Sequence, residues 1–93
     1  MQMNIAIPVT FFREGKVFIA HSPVLDVSTS ADTFEKAQKR FQEAVEIFFE
    51  ELTEKGTMDE VLTGLGWQKI DRQWNPPLQI SQSITNVTIP FAH

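Results

Sequence analysis

His21 and Asp26 are the two side chains whose types and spacing come nearest to acid–base chemistry in this chain. An imidazole titrates near neutral pH, and a carboxylate within reach can orient it for proton transfer. The pair brackets a Pro-containing turn, Ser22-Pro23-Val24-Leu25. No nucleophile beside a base and no second carboxylate in a recognisable cleft accompanies them, so a hydrogen-bonded structural or contact role for His21 outweighs catalysis. Glu43, Glu46, Glu50 and Glu54 follow a helical spacing that imitates a metal stripe, but they fall opposite the apolar face and read as a solvated charge row. His93 is the last residue, where chain ends fray, and Gly64-Leu65-Gly66 follows a helix instead of opening one, so neither a metal site nor a phosphate loop is expected. With no cysteine anywhere, disulfides, thiolate metal sites and thiol nucleophiles are excluded. The expectation is a binding protein with no enzyme activity, no cofactor and no metal.

The elements that would position these residues follow from periodicity. Ile5, Ile7, Val9 and Phe11 alternate with Ala6, Pro8, Thr10 and Phe12, which predicts a strand over Asn4–Phe12, with Pro8 favouring an edge or bulge. Glu14-Gly15-Lys16 supplies a turn, and Val17–His21 returns as an antiparallel partner with Val17, Ile19 and His21 on one face. Asp26–Ser30 is expected as a third strand, with Val27 and Thr29 sharing a face. From Thr33 to about Lys55 the period becomes helical: Phe34, Ala37, Phe41, Ala44, Val45, Phe48 and Leu52 recur at three and four. Asp32 or Thr33 caps this helix and Gly56 ends it. Thr57-Met58-Asp59-Glu60 carries a capping-box signal for a shorter helix through Val61, Leu62 and Leu65, stopped by Gly66.

Trp67–Trp74 reads as either a strand or a small hairpin turning near Asp71-Arg72. Asn75-Pro76-Pro77 forbids a helix and starts an extended chain, in which Leu78 and Ile80, then Val87, Ile89 and Phe91, read as one or two strands. The fold class expected is α+β in two layers: an antiparallel sheet in β-β-β-α-α-β order, a long amphipathic helix packed on it, and a C-terminal extended strand. One domain over residues 1–75 is expected, with 76–93 as a strand of the same domain or a dimer arm. Phe12, Phe49, Trp67 and Trp74 either form an apolar patch for a subunit partner or complete a small core, and residue types do not decide between these.

The 93 residues carry a net charge of −4, unevenly placed: residues 32 to 60 hold nine acidic and four basic side chains, against three and four elsewhere. Gripping a nucleic-acid backbone takes clustered Lys and Arg, so direct nucleic-acid binding is not expected, and a basic protein partner fits better. No basic, apolar leader opens the chain and no long apolar run follows, so no membrane association is expected and cytoplasm is the default location. Without a secretion signal, the sequon-like Asn86-Val87-Thr88 has no consequence.

One further pattern is an aromatic strand residue followed by Ala, a Pro-x-Leu turn, a short strand, and an Asp-Thr helix start with Glu and Ala soon after. Here these are Phe18, Ala20, Pro23, Leu25, Asp32, Thr33, Glu35 and Ala37, continuing through Glu43-Ala44, and in this order they resemble the HicB-like antitoxin family. Gly56-Thr57, Glu60-Val61-Leu62 and Gly66-Trp67 extend the similarity to members with a lone domain, although Ala31 stands where many members have Gly. The resemblance implies a partly degenerate ribonuclease-H-like fold without catalytic carboxylates, which covers the active-site face of a small basic ribonuclease toxin (HicA-like). No DNA-binding module follows in this sequence, so autorepression is not implied. On this reading His21, Pro23, Leu25 and Asp26 are the partner-binding residues, and a homodimer through a sheet edge or the C-terminal strand is expected. The alternative is an orphan regulatory or protein-interaction domain of the same fold without a toxin, and a weak hydrolase built on His21 and Asp26 is a remote third.

Overall fold

The helical period beginning at Phe34 needs a start and a stop, and the chain supplies both. In the computed structural model, which describes residues 5–91, helix α1 spans Phe34–Lys55. Thr33 is its N-cap: the residue is extended, at φ −134° and ψ 158°, and its Oγ1 accepts from the Lys36 N–H at 3.1 Å. This satisfies one of the donors a helix start leaves free. At the other end Gly56 takes φ +66°, and the Thr57 N–H donates to the Leu52 carbonyl at 3.1 Å while the Gly56 N–H reaches Thr53 at 3.3 Å. Those two bonds form a Schellman stop.

Helix α2, Met58–Gly64, ends the same way. Gly66 at φ +91° lets the Trp67 N–H reach the Leu62 carbonyl at 2.9 Å and the Gly66 N–H reach Thr63 at 3.1 Å. Leu62 and Trp67, the two residues such a stop brings into contact, are both buried. The expected capping box at Thr57 does not form its side-chain bond. Thr57 is already the last residue of the preceding stop, with its N–H committed to Leu52 and ψ at 12°, so it cannot adopt the extended conformation of a cap.

Strands β1 (Thr10–Glu14), β2 (Val17–Ser22) and β3 (Val27–Ala31) form an antiparallel sheet in that order. The first strand begins six residues later than expected from Asn4, which itself lies outside the described residues, as does His93. The register explains the delay. Thr10 faces His21, so one more step and then another would set Pro8 opposite Pro23, where neither residue has an N–H to give. Residues Ile5 and Ile7 instead pack, half-buried, against the core. The third strand starts at Val27 because Asp26 occupies the left-handed region at φ +55° and belongs to the turn.

Helix α1 lies over β2 and β3. The sheet face beneath it carries Phe11, Phe18, Ala20, Ser22, Val27, Thr29 and Ala31, as the register Phe11–Ala20–Thr29 requires. Ala20, Ala31 and Ala37 are buried where helix and sheet approach, Phe41 fills the space beside them, and Phe34 meets Phe11 edge-on at 4.8 Å between ring centroids. The larger core lies beyond the sheet's end: Val24 and Leu25 of the β2–β3 turn, Leu52 of α1, Leu62 of α2 and Trp67, with Val45, Phe48, Phe49 and Trp74 around them. The apolar stripe of α1 therefore serves two cores, with small residues over the sheet and large ones past it.

Of the two readings of Trp67–Trp74, the hairpin is the one formed. Strands β4 (Gln68–Ile70) and β5 (Gln73–Asn75) pair around Asp71 and Arg72, whose φ angles of 52° and 66° are those of a two-residue turn matched to strand twist. The observed order is thus β-β-β-α-α-β-β, an α+β fold. From Pro76 to Phe91 the chain carries no regular secondary structure, so the one or two strands expected there do not form. A strand needs a partner edge for its backbone groups, and among the described residues this segment pairs with none. The radius of gyration is 16.3 Å, against about 12 Å for a compact chain of this length.

Candidate partner-binding surface

The four residues singled out in the sequence share one turn but do not share one environment. Val24 donates its N–H to Ser22 Oγ at 3.3 Å, and Asp26 donates its own to the Ser22 carbonyl at 3.2 Å, so the buried Ser22 organises the whole loop. A hydroxyl holding its own following backbone in this way is a common turn device. The result presents Pro23 and Asp26 to solvent and turns Val24 and Leu25 inward.

Leu25 is 2% exposed and sits in the core with Leu52, Leu62 and Trp67. Leu25 was expected among the contact residues; in the single chain the Pro-x-Leu turn buries this leucine and anchors the loop with it, leaving Pro23 and Asp26 as the accessible members. His21 is half-buried and belongs to the opposite sheet face, alongside Thr10, its cross-strand neighbour. No hydrogen bond or ion pair joins His21 to Asp26 among the described residues, and the two do not form an acid–base dyad.

Trp67 is the residue whose part in this loop the sequence did not reveal. Its indole Nε1–H donates to the Val24 carbonyl at 2.8 Å, across 43 residues of chain. The only advance signal was Gly66 before it, which marks a helix stop that turns the next residue inward. Phe49 meets the same indole edge-on at 6.0 Å and Phe48 at 5.4 Å, so Phe49, Trp67 and Trp74 complete the core. Phe12, at 55% exposed, is left on the open sheet face with Val17 and Ile19.

The electrostatics of this end of the molecule come from the second half of α1. Between Glu43 and Glu60 the chain carries seven carboxylates and one lysine, Lys55. All seven are exposed, and the helix that bears five of them is tied to the Pro23–Asp26 loop through Leu52 and the shared core. The first half is mixed: Lys36 pairs with Asp32 at 3.2 Å, and Arg40 donates to the Ser30 carbonyl at 2.8 Å. The Lys36 ammonium, by hydrogen bond and by charge, holds the Asp32 carboxyl below its ordinary range. Among the described residues no three His, Asp or Glu side chains are grouped to hold a metal, and no helix is long and apolar enough to cross a membrane.

A shallow groove beside the loop is bordered by Pro8, Thr10, Pro23, Val24, Pro77 and Leu78. The start of the C-terminal segment thus passes the same loop. Comparison with protein-family models, curated proteins and solved structures finds no match for this chain.

Proposed function

We propose that this chain is an antitoxin-like binding protein of the HicB type, working in the cytoplasm as a homodimer. It neutralises a small basic ribonuclease by covering that enzyme's active-site face. The observation that carries the reading is the run of seven exposed carboxylates between Glu43 and Glu60, joined through one core to an outward-facing Pro23 and Asp26. A field of one sign accelerates the encounter with an oppositely charged partner, and the buried contact around Pro23 slows escape. A ribonuclease must itself present positive charge to RNA, so an acidic surface seated there competes with substrate for the same ground.

The test begins with whether a small basic protein is encoded beside this chain, and continues with inhibition of that protein's RNA cleavage, the two purified proteins mixed in increasing ratio. Cleavage should stop near one chain per ribonuclease, and the double variant Glu46→Lys, Glu50→Lys should associate at least tenfold more slowly at low salt. Cleavage that continues at a large excess of this chain would sink the proposal and leave the orphan interaction domain as the reading to pursue.

A further inference from the structure

Among the described residues the segment from Ile84 to Phe91 pairs with nothing and β1 is an outer strand of its sheet, and the two match. We infer that each copy of this chain donates Ile84–Phe91 as an added strand along β1 of a second copy, in a reciprocal exchange that builds the homodimer. This specifies the dimeric part of the reading above and is independent of the toxin.

The donor is unusual for a surface segment. Leu78, Ile80, Ile84, Val87, Ile89 and Phe91 are all between 64% and 94% exposed. From Gln73 to Phe91 the chain has no charged side chain. Val87, Ile89 and Phe91 alternate with Thr88 and Pro90, the period of a strand with one buried face. Eight residues from Ile84 to Phe91 span roughly 26 Å, enough for the length of β1 and the turn beyond it. The first part of the segment borders Pro8 and Thr10 of its own chain, but the apolar side chains beyond it find no cover there.

The acceptor is defined by elimination between the sheet's two outer strands. On β3 the Arg40 guanidinium is bonded to the Ser30 carbonyl, and α1 lies over that side of the sheet, a charged and covered edge of the kind that resists pairing. On β1, Thr10, Phe11 and Phe12 are uncharged, and Arg13 is folded back onto the Gly15 carbonyl at 3.1 Å. Phe12, Val17 and Ile19 leave an apolar strip on the open face next to this edge. An uncharged strand gains nothing from a basic or acidic partner, whereas this strip and the Thr10–Phe12 part of the edge are uncharged, with Arg13 and Glu14 only at its far end.

The identity of the occupant follows from stoichiometry and charge. Each chain has one donor and one acceptor, so a twofold exchange satisfies both with nothing left over. Most of the acidic residues, those from Asp32 to Glu60, lie in the helical half of the chain, so two copies joined at their β1 edges keep those charges apart.

The experiment is light scattering coupled to size-exclusion chromatography on the full chain, on Ile89→Asp and on Phe12→Asp, with amide hydrogen exchange on the unmodified chain. The unmodified chain should run at twice its 10.6 kDa mass, with slow exchange at Ile84–Ile89 and Thr10–Phe12. Each variant should run as a monomer with the same far-ultraviolet dichroism and melting temperature of its folded domain, since both side chains are exposed in the single chain. A dimer that persists in Ile89→Asp overturns the exchange while leaving dimerisation itself standing. A monomeric unmodified chain overturns both, and slow exchange of Ile84–Ile89 in that monomer would place the segment on its own sheet. Ribonuclease inhibition by Ile89→Asp, expected to match the unmodified chain per protomer, reads the toxin proposal separately.

Discussion

The Trp67 indole donates its N–H to the Val24 carbonyl at 2.8 Å, fastening the second helix's stop to the turn between β2 and β3. It is the one side-chain hydrogen bond in the described structure that joins the two halves of the chain over more than ten residues. Replacing Trp67 by Phe keeps an aromatic in the core and removes only the donor and part of the ring. The buried Val24 carbonyl is then left without its partner, at a cost of about 1–3 kcal/mol. Thermal unfolding should fall by roughly 4–8 °C per kcal/mol for a domain of this size. An unchanged melting temperature would mean that water or a shifted loop replaces the indole.

Leu25 and Asp26 are adjacent and should answer to different assays. Leu25→Ala opens a cavity in the core and should lower stability by about 2–5 kcal/mol, measured by urea unfolding. Asp26→Gly keeps the left-handed φ of +55° at no steric cost and removes one exposed carboxylate. It should leave the urea midpoint nearly unchanged and slow association with the basic ribonuclease. If Asp26→Gly unfolds the chain while Leu25→Ala is silent, the inward and outward assignments in this loop are reversed.

Thr29 Oγ1 is buried under α1 with no hydrogen-bond partner among the described residues. Valine has the same shape without the polar atom, so Thr29→Val should stabilise the fold by about 1 kcal/mol. Equilibrium denaturation decides it, and a loss of stability would show that the hydroxyl has a partner after all.

Asp32 stands just before the N-cap of α1, paired with Lys36 and exposed. Its carboxyl is held low in the folded chain, so its contribution is present above the unfolded value of about 3.9 and is lost as pH falls through the lowered folded value. Solvent keeps this contribution small. A carbon-detected titration of the Asp32 carboxyl should give a midpoint below the ordinary one, and Lys36→Met should raise it. A midpoint unmoved by Lys36→Met would assign the shift to the helix start instead of to the ammonium.

Much of this architecture was legible because it is local. Thr33, Gly56 and Gly66 announce their helix ends by residue type, and Gly15 and Asp71-Arg72 mark the two tight turns. What sequence did not show is what depends on partners far along the chain. Ile5–Val9 has a strand's alternation, but whether it pairs depends on where β2 ends. Leu25 looked like a surface residue because a Pro-x-Leu turn exposes its proline, and its burial depends on Leu52, Leu62 and Trp67 arriving from elsewhere. Trp67 was ambiguous between patch and core for the same reason. The acidic surface was legible in full, since exposed charge needs no partner to be recognised.

The placement of Pro8 and Pro23 just beyond the end of the β1–β2 ladder has a consequence for how the hairpin finds its alignment. Side-chain alternation penalises a slip by one residue, because it would put Phe11 and Ala20 on opposite faces of the sheet and turn either Phe12 or Ile19 under the helix. It does not penalise a slip by two, which keeps every side chain on its proper face. Such a slip brings Pro8 opposite His21 in one direction and Pro23 opposite Thr10 in the other, and each removes an N–H from the ladder. The two imino acids therefore act as a vernier, rejecting the even misalignments that hydrophobic pattern alone would accept.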